Sequence, residues 1–146
     1  MNILFVCTGN TCRSPMAEAI LQAKSSFEVQ SAGIYAETGA PANSSAIQTL
    51  SENEIAYSEQ AQLVTDELVD WADLILTMTN QHKDAIKILF PTGQNKTYTL
   101  KEYVDDNNAP QTLDIADPYG QNQTAYQQAY KEIDQAIEQL IEKLAE

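Results

Sequence analysis

Short apolar runs alternate with longer amphipathic stretches along this chain, a pattern that predicts strands separated by helices. Asn2 to Val6 is a short, mostly apolar run and reads as a buried strand. Ser14-Pro15 then opens a helix, with Ser as N-cap and Pro in the first turn. Met16, Ala19, Ile20 and Ala23 give it an apolar stripe. Phe27 to Ser31 reads as a second strand, ending at Ala32-Gly33. Residues from about Pro41 to Glu52 form a helix with Ala46, Ile47 and Leu50 inward. A shorter helix follows around Leu68 and Val69, capped by Thr65. Asp73 to Met78 is a third strand. Thr79 to Phe90 is a helix that stops before Pro91, and Lys96 to Leu100 is a fourth strand. Lys101 to Gln123, with Pro110, Pro118 and Gly120, reads as a looser segment. A last helix is marked by Tyr126, Ala129, Tyr130, Ile133, Ala136, Ile137, Leu140, Ile141 and Leu144 at helical spacing.

Strands that alternate with helices imply an α/β fold: a doubly wound, four-stranded parallel sheet with helices on both faces. The chain has 146 residues, enough for a single domain over 1–146 with its own core. Ligands of such sheets bind beyond the carboxyl ends of the strands, at a topological switch point. Cys7 begins the loop after the first strand and so falls at that position.

The loop is Cys7-Thr8-Gly9-Asn10-Thr11-Cys12-Arg13-Ser14-Pro15. A tight turn between a strand and a helix aims successive backbone N–H groups at one point, and the helix N-terminus adds partial positive charge. Gly9 and Asn10 tolerate the left-handed backbone that such a turn needs. Arg13 can grip two phosphate oxygens at once. The same surroundings favour a thiolate on Cys7, and the Ser14 hydroxyl could donate to it. One loop can thus bind a phosphate dianion and supply the nucleophile that attacks it. It is neither a Walker A loop, which needs Gly-Lys-Ser/Thr, nor a Gly-x-Gly-x-x-Gly dinucleotide loop.

Charge narrows the partners. The net charge of −13 argues against nucleic acid and against docking on anionic membranes. It leaves an ordinary soluble surface, or steering of basic protein substrates. The longest apolar stretch near the start is too short to span a membrane. No basic segment precedes it and no small-residue cleavage site follows, so a signal peptide is not expected and the cytoplasm is the expected location. The two cysteines, Cys7 and Cys12, share one loop and build neither a disulfide framework nor a zinc site, so no metal or cofactor is expected. Cys12 is close enough in sequence to trap an oxidised Cys7.

The run from Cys7 through Ser14-Pro15-Met16-Ala17 to Glu18 resembles the signature of the low-molecular-weight protein tyrosine phosphatase family. The resemblance extends to Ser31-Ala32-Gly33, to Asp73 through Met78, and to Asp117-Pro118-Tyr119-Gly120. It implies a phosphocysteine intermediate on Cys7 and phosphorylated proteins as partners. It also implies that Asp117 is the general acid, where Asp117-Pro118 alone would read only as a turn. Asn10, Ser14 and Ser31 match positions that brace the loop. Tyr119 and Tyr35 match positions that wall the substrate cleft. The family's usual His near Glu59 is missing, and the sole His, His82, is expected on the solvated face of its helix.

Thr11 bears on the substrate. Tyrosine-directed members usually carry a bulky aliphatic residue there. Cys-Thr-Gly-Asn-Thr-Cys-Arg-Ser resembles the bacterial protein-arginine phosphatase branch instead, as do Leu100 through Val104 and Gln81-His-Lys83. The resemblance implies hydrolysis of phosphoarginine in proteins, with phosphotyrosine as the alternative. Arsenate reductases share the fold but need further cysteines downstream, and none follows Cys12. A non-catalytic phosphoprotein-binding module would typically have lost the nucleophile or the acid.

Overall fold

The computed structural model describes residues 1–104 and 114–145. The first apolar run forms β1 (Asn2–Cys7), buried from Ile3 onward. It pairs in parallel with β2 (Glu28–Gly33) on one side and β3 (Leu74–Thr77) on the other. β4 (Thr97–Thr99) extends the sheet beyond β3, in the order β2-β1-β3-β4. Around it stand α1 (Arg13–Lys24), α2 (Ser44–Glu52), α3 (Asp66–Trp71), α4 (Asn80–Leu89), α5 (Leu100–Val104) and α6 (Gln123–Ala145).

Successive strand residues face opposite ways, so β1 feeds two cores. Ile3, Phe5 and Cys7 pack with Leu74, Leu76 and Met78 beneath α1, α2, α5 and α6. Leu4 and Val6 face the other layer, with Ile75, Val69 of α3 and Ile86 of α4. A strand covered on both sides has no polar face, which is why its sequence is a run rather than an alternation. From β1 the chain goes first to β2 on one side and later to β3 on the other. The crevice beyond β1 and β3 is therefore the switch point, and Cys7 ends β1 there.

Thr65 caps α3 by accepting the Leu68 N–H, Thr79 caps α4 by accepting the His82 N–H, and Asn43 caps α2 through Ser45. Several expectations need correction. Ser14 does not cap α1: Cys12 holds the cap position with no side-chain cap bond, and the Ser14 hydroxyl serves Cys7 instead. Ala23 is exposed, because α1 is wrapped on every side only from Arg13 to Leu21. Leu100–Val104 is helix rather than the end of a strand and the start of a loose segment. Thr99 and Glu102 form a reciprocal capping box there, with the Glu102 N–H on Thr99 Oγ1 at 3.0 Å and the Thr99 N–H on Glu102 Oε2 at 2.8 Å. Pro110, placed in that segment by sequence, lies outside the described residues.

Candidate active site

Five residues, Thr8 to Cys12, connect the end of β1 to the start of α1. The turn is made by Asn10 in the left-handed region, with a φ of 57°; Gly9, expected to share that role, does not adopt a positive φ. Neighbouring segments hold the outside of the loop. The Thr8 carbonyl accepts the Tyr35 N–H at 2.9 Å, and the Thr11 carbonyl accepts the Asn43 N–H at 2.8 Å. In a trans peptide the N–H points opposite to the carbonyl. The N–H groups of Gly9 and Cys12 are thereby turned away from those partners.

The loop also lies hard against Gly33. A Cβ at Gly33 would sit 2.5 Å from the Thr8 carbonyl oxygen and 2.9 Å from the Asn10 nitrogen. Both are backbone atoms of the loop and can yield only if the loop moves. Gly33→Ala should therefore lower kcat/KM by roughly 10–10²-fold, the cost of misplacing catalytic groups by about an ångström. Steady-state kinetics with an aryl phosphate check this, and unchanged kcat/KM would mean that the loop tolerates the shift.

Behind the loop a hydrogen-bond chain has a fixed direction. Asn10 Nδ2 spends both hydrogens, on Ser14 Oγ at 2.9 Å and Ser31 Oγ at 2.8 Å, while its Oδ1 accepts the Gln62 N–H at 2.9 Å. Each serine accepts once and has one hydrogen left to give. Ser31 gives its own to Glu18 Oε1 at 2.8 Å. Ser14 gives its own to Cys7 Sγ, also at 2.8 Å. Cys7 Sγ is thus met by a donor, which fixes the position of the sulfur at the edge of the loop. Glu18 is buried and accepts a second hydrogen from the Tyr57 hydroxyl at 2.7 Å. Burial pushes the Glu18 carboxyl above its usual range, and the bonds from Tyr57 and Ser31 pull it back in part.

The cleft itself has a volume of about 320 Å³. Cys7, Thr8, Gly9, Thr11, Cys12 and Arg13 form its floor, and Tyr35, Glu37, Ala40, Asp117 and Tyr119 its walls. Tyr35 and Tyr119 expose their rings at the mouth. Asn10 and Ser14 stand behind the floor rather than in it. Arg13 is buried, and its Nη1 donates to the Ile115 carbonyl at 2.9 Å. Its Nη2 lies 3.5 Å from Asp117 Oδ2. Asp117 is half exposed, so the pair adds little stability, and its interest is placement. The Asp117 Oδ1 accepts the Tyr119 N–H at 3.0 Å, which closes the turn and aims the carboxyl across the cleft toward Arg13. Residues separated by more than a hundred positions are therefore gathered over Cys7.

A family model described as low molecular weight phosphotyrosine protein phosphatase matches residues 2–146. The chain belongs to that family. A protein-arginine-phosphatase of Bacillus subtilis is 42% identical over 133 residues, covering 88% of this chain and 86% of the relative. The solved YwlE arginine phosphatase of Geobacillus stearothermophilus superposes with a TM-score of 0.93 at 43% identity, covering 99% of this chain and 92% of that one. A YwlE arginine phosphatase mutant, with cysteine replaced by serine and a phosphorylated active-site serine, superposes with a TM-score of 0.91 at 38% identity, covering 100% and 97%.

Some residues of this low-molecular-weight phosphatase were not assigned a place in the site by sequence. Tyr57 and Glu18 brace Ser31 where the family's usual His is absent. Glu37 joins the cleft wall. His82 is the clearest correction: it is buried, not solvated, and its Nε2 lies 2.8 Å from Thr8 Oγ1. Cys12 is buried with its Sγ 3.6 Å from the Tyr126 hydroxyl, and burial raises its thiol above the ordinary value. Cys12 in this phosphatase is thus held as a thiol, a poorer attacker than a thiolate if Cys7 is oxidised.

Burial, and after it the Arg13 charge, lowers His82 to about 4, with Asp114 and Asp117 opposing. An unfolded chain takes up this proton near pH 6.5, and the folded one only near 4. Folding stability should therefore fall as pH drops through that window, by about 3 kcal/mol in total from this group. Urea denaturation of wild type and His82→Gln across the window checks it. The variant should lose that part of the slope, and identical slopes would contradict it.

Proposed function

We propose that the protein hydrolyses phosphoarginine in proteins through a phosphocysteine on Cys7. The observation that carries this is the convergence of Cys7, Arg13 and Asp117 on one cleft lined by residues of the strand-to-helix loop. Arg13 and the loop's N–H groups hold the phosphoryl oxygens, and the incoming dianion competes with Asp117 for Arg13. The Cys7 sulfur attacks phosphorus as the P–N bond breaks. Asp117 gives its proton to the departing nitrogen, so that arginine leaves with an intact guanidinium group. The resulting carboxylate then takes a proton from water, whose oxygen bonds to phosphorus as the P–S bond breaks and its electron pair returns to the Cys7 sulfur, releasing inorganic phosphate.

Support for arginine comes from Thr11 and from the relatives' names. Thr11 is a small polar residue on the cleft floor, half-buried, where it can hydrogen-bond near the reacting centre and offers little apolar surface to a phenyl ring. Phosphotyrosine is the second reading, favoured by the exposed rings of Tyr35 and Tyr119 at the mouth, which could stack on a substrate ring. Wild type should prefer phosphoarginine over phosphotyrosine proteins in kcat/KM. Thr11→Ile should reverse that preference by roughly 10–200-fold, the discrimination worth of one side chain of this size. Faster hydrolysis of phosphotyrosine proteins by wild type, or an unmoved ratio in Thr11→Ile, would leave the tyrosine reading standing.

The partners in this reading are phosphorylated proteins. The net charge of −13 disfavours nucleic acid and anionic membranes. Among the described residues, no helix is long and apolar enough to cross a membrane. In this reading the protein works in the cytoplasm, a reducing compartment in which Cys7 stays free, as it is here. In this reading residues 1–146 are one domain, which is supported among the described residues by β1 contributing to both cores.

A further inference from the structure

His82 is the chain's one histidine, and it is fixed from two sides. Thr79 Oγ1 accepts its backbone N–H at 3.1 Å, and its Nε2 lies 2.8 Å from Thr8 Oγ1. Its Nδ1 is buried and has no hydrogen-bond partner among the described residues. A neutral imidazole carries one N–H and one lone pair. An orphaned buried N–H is rarer, and costs more, than an unfilled acceptor. Nδ1 therefore bears the lone pair and Nε2 the hydrogen. The Thr8 hydroxyl must then accept from His82, which leaves its own hydrogen free to turn elsewhere. Thr8 is exposed and lines the cleft directly after Cys7, so the free hydrogen has the cleft to turn into.

We propose that His82 is a positioning residue of the phosphate loop: its Nε2–H fixes Thr8 Oγ1 as an acceptor and aims the Thr8 hydroxyl hydrogen at the phosphoryl group held over Cys7. This role rests on the reading of the Cys7 loop as a phosphate site. It is separate from the Asn10, Ser14 and Ser31 brace. That brace reaches the loop from β2, whereas His82 reaches it from α4, which follows β3. The two supports act on different residues of the loop, one on Asn10 and the other on Thr8.

Because the chain has one histidine, nitrogen-15 NMR of histidine-labelled protein reads this imidazole without assignment. Near neutral pH the expected spectrum is that of the Nε2–H tautomer, and an Nδ1–H tautomer overturns the role. In Thr8→Val the Nε2–H loses its acceptor and its resonance should move, whereas an unmoved resonance contradicts the contact. Kinetics with para-nitrophenyl phosphate and with phosphoarginine give the second arm. Thr8→Val and His82→Leu should each lower kcat/KM roughly tenfold, the scale of one hydrogen bond to a charged group. The double variant should be no worse than the worse single one. His82→Gln, whose side-chain amide can donate in place of Nε2, should recover most of the loss. Losses that multiply in the double variant, or equal losses in His82→Gln and His82→Leu, overturn the role. Should His82→Leu fail to fold, the two spectra and Thr8→Val still decide. Wild type that turns over no phosphorylated substrate would remove the phosphate site and this role with it, while an active enzyme with an Nδ1–H tautomer overturns this role alone.

Discussion

Cys7→Ser should lose turnover by roughly 10⁴–10⁶-fold, the scale on which covalent catalysis fails without its nucleophile. It should still bind phosphate. The Ser14 hydroxyl, the helix N-terminus and Arg13 remain in place, but a serine oxygen is a far weaker nucleophile toward phosphorus than the cysteine sulfur. The N–H groups of the loop and the Arg13 guanidinium are untouched by the change, so a calorimetric titration with inorganic phosphate should give an affinity near that of wild type. Arg13→Ala, by contrast, should lose both binding and turnover, because the buried guanidinium is the fixed positive group in the floor of the cleft. Substantial residual turnover in Cys7→Ser would reject a phosphocysteine mechanism.

Asp117→Asn should cost about 10²–10⁴-fold in kcat with phosphoarginine substrates, the usual worth of general acid–base catalysis. The carboxyl faces the cleft from a closed turn, with its Oδ2 3.5 Å from Arg13. An amide in its place can occupy that position but can neither give nor take the proton. A further result follows from this role. The penalty on Cys7 phosphorylation, read as the burst of released leaving group, should shrink with para-nitrophenyl phosphate, whose leaving group departs without needing protonation. Equal burst penalties for the two substrates would mean that another group protonates the leaving atom.

Much of this arrangement was legible in the chain, and what escaped did so for identifiable reasons. The strand-to-helix loop from Cys7 to Ser14 is local, so its chemistry is written in consecutive residues. The cap at Thr65 is local too and makes the bond expected of it; Thr79, read from sequence as the first helical residue, instead caps α4. His82 was misplaced because its contact with Thr8 spans 74 positions, and an isolated His between Gln81 and Lys83 looks solvated until the loop is docked beside it. The Tyr57–Glu18 bond spans 39 positions and was invisible for the same reason. α5 is different, since Thr99-Leu100-Lys101-Glu102 carries a capping-box spacing that was there to be read. Ser14 shows the opposite hazard. A residue well suited to cap a helix stands one position inside it, where its single hydrogen goes to the Cys7 sulfur.

The phosphoenzyme itself tests the central claim most directly. Wild type or Asp117→Asn should be mixed with para-nitrophenyl phosphate, whose leaving group needs no proton, quenched within milliseconds, and digested for mass spectrometry under conditions that preserve the P–S bond. The account predicts phosphate on Cys7, accumulating most in Asp117→Asn, where water is no longer activated for the second step. Phosphate found on another residue, or turnover that proceeds with no covalent phosphate on Cys7, would contradict it.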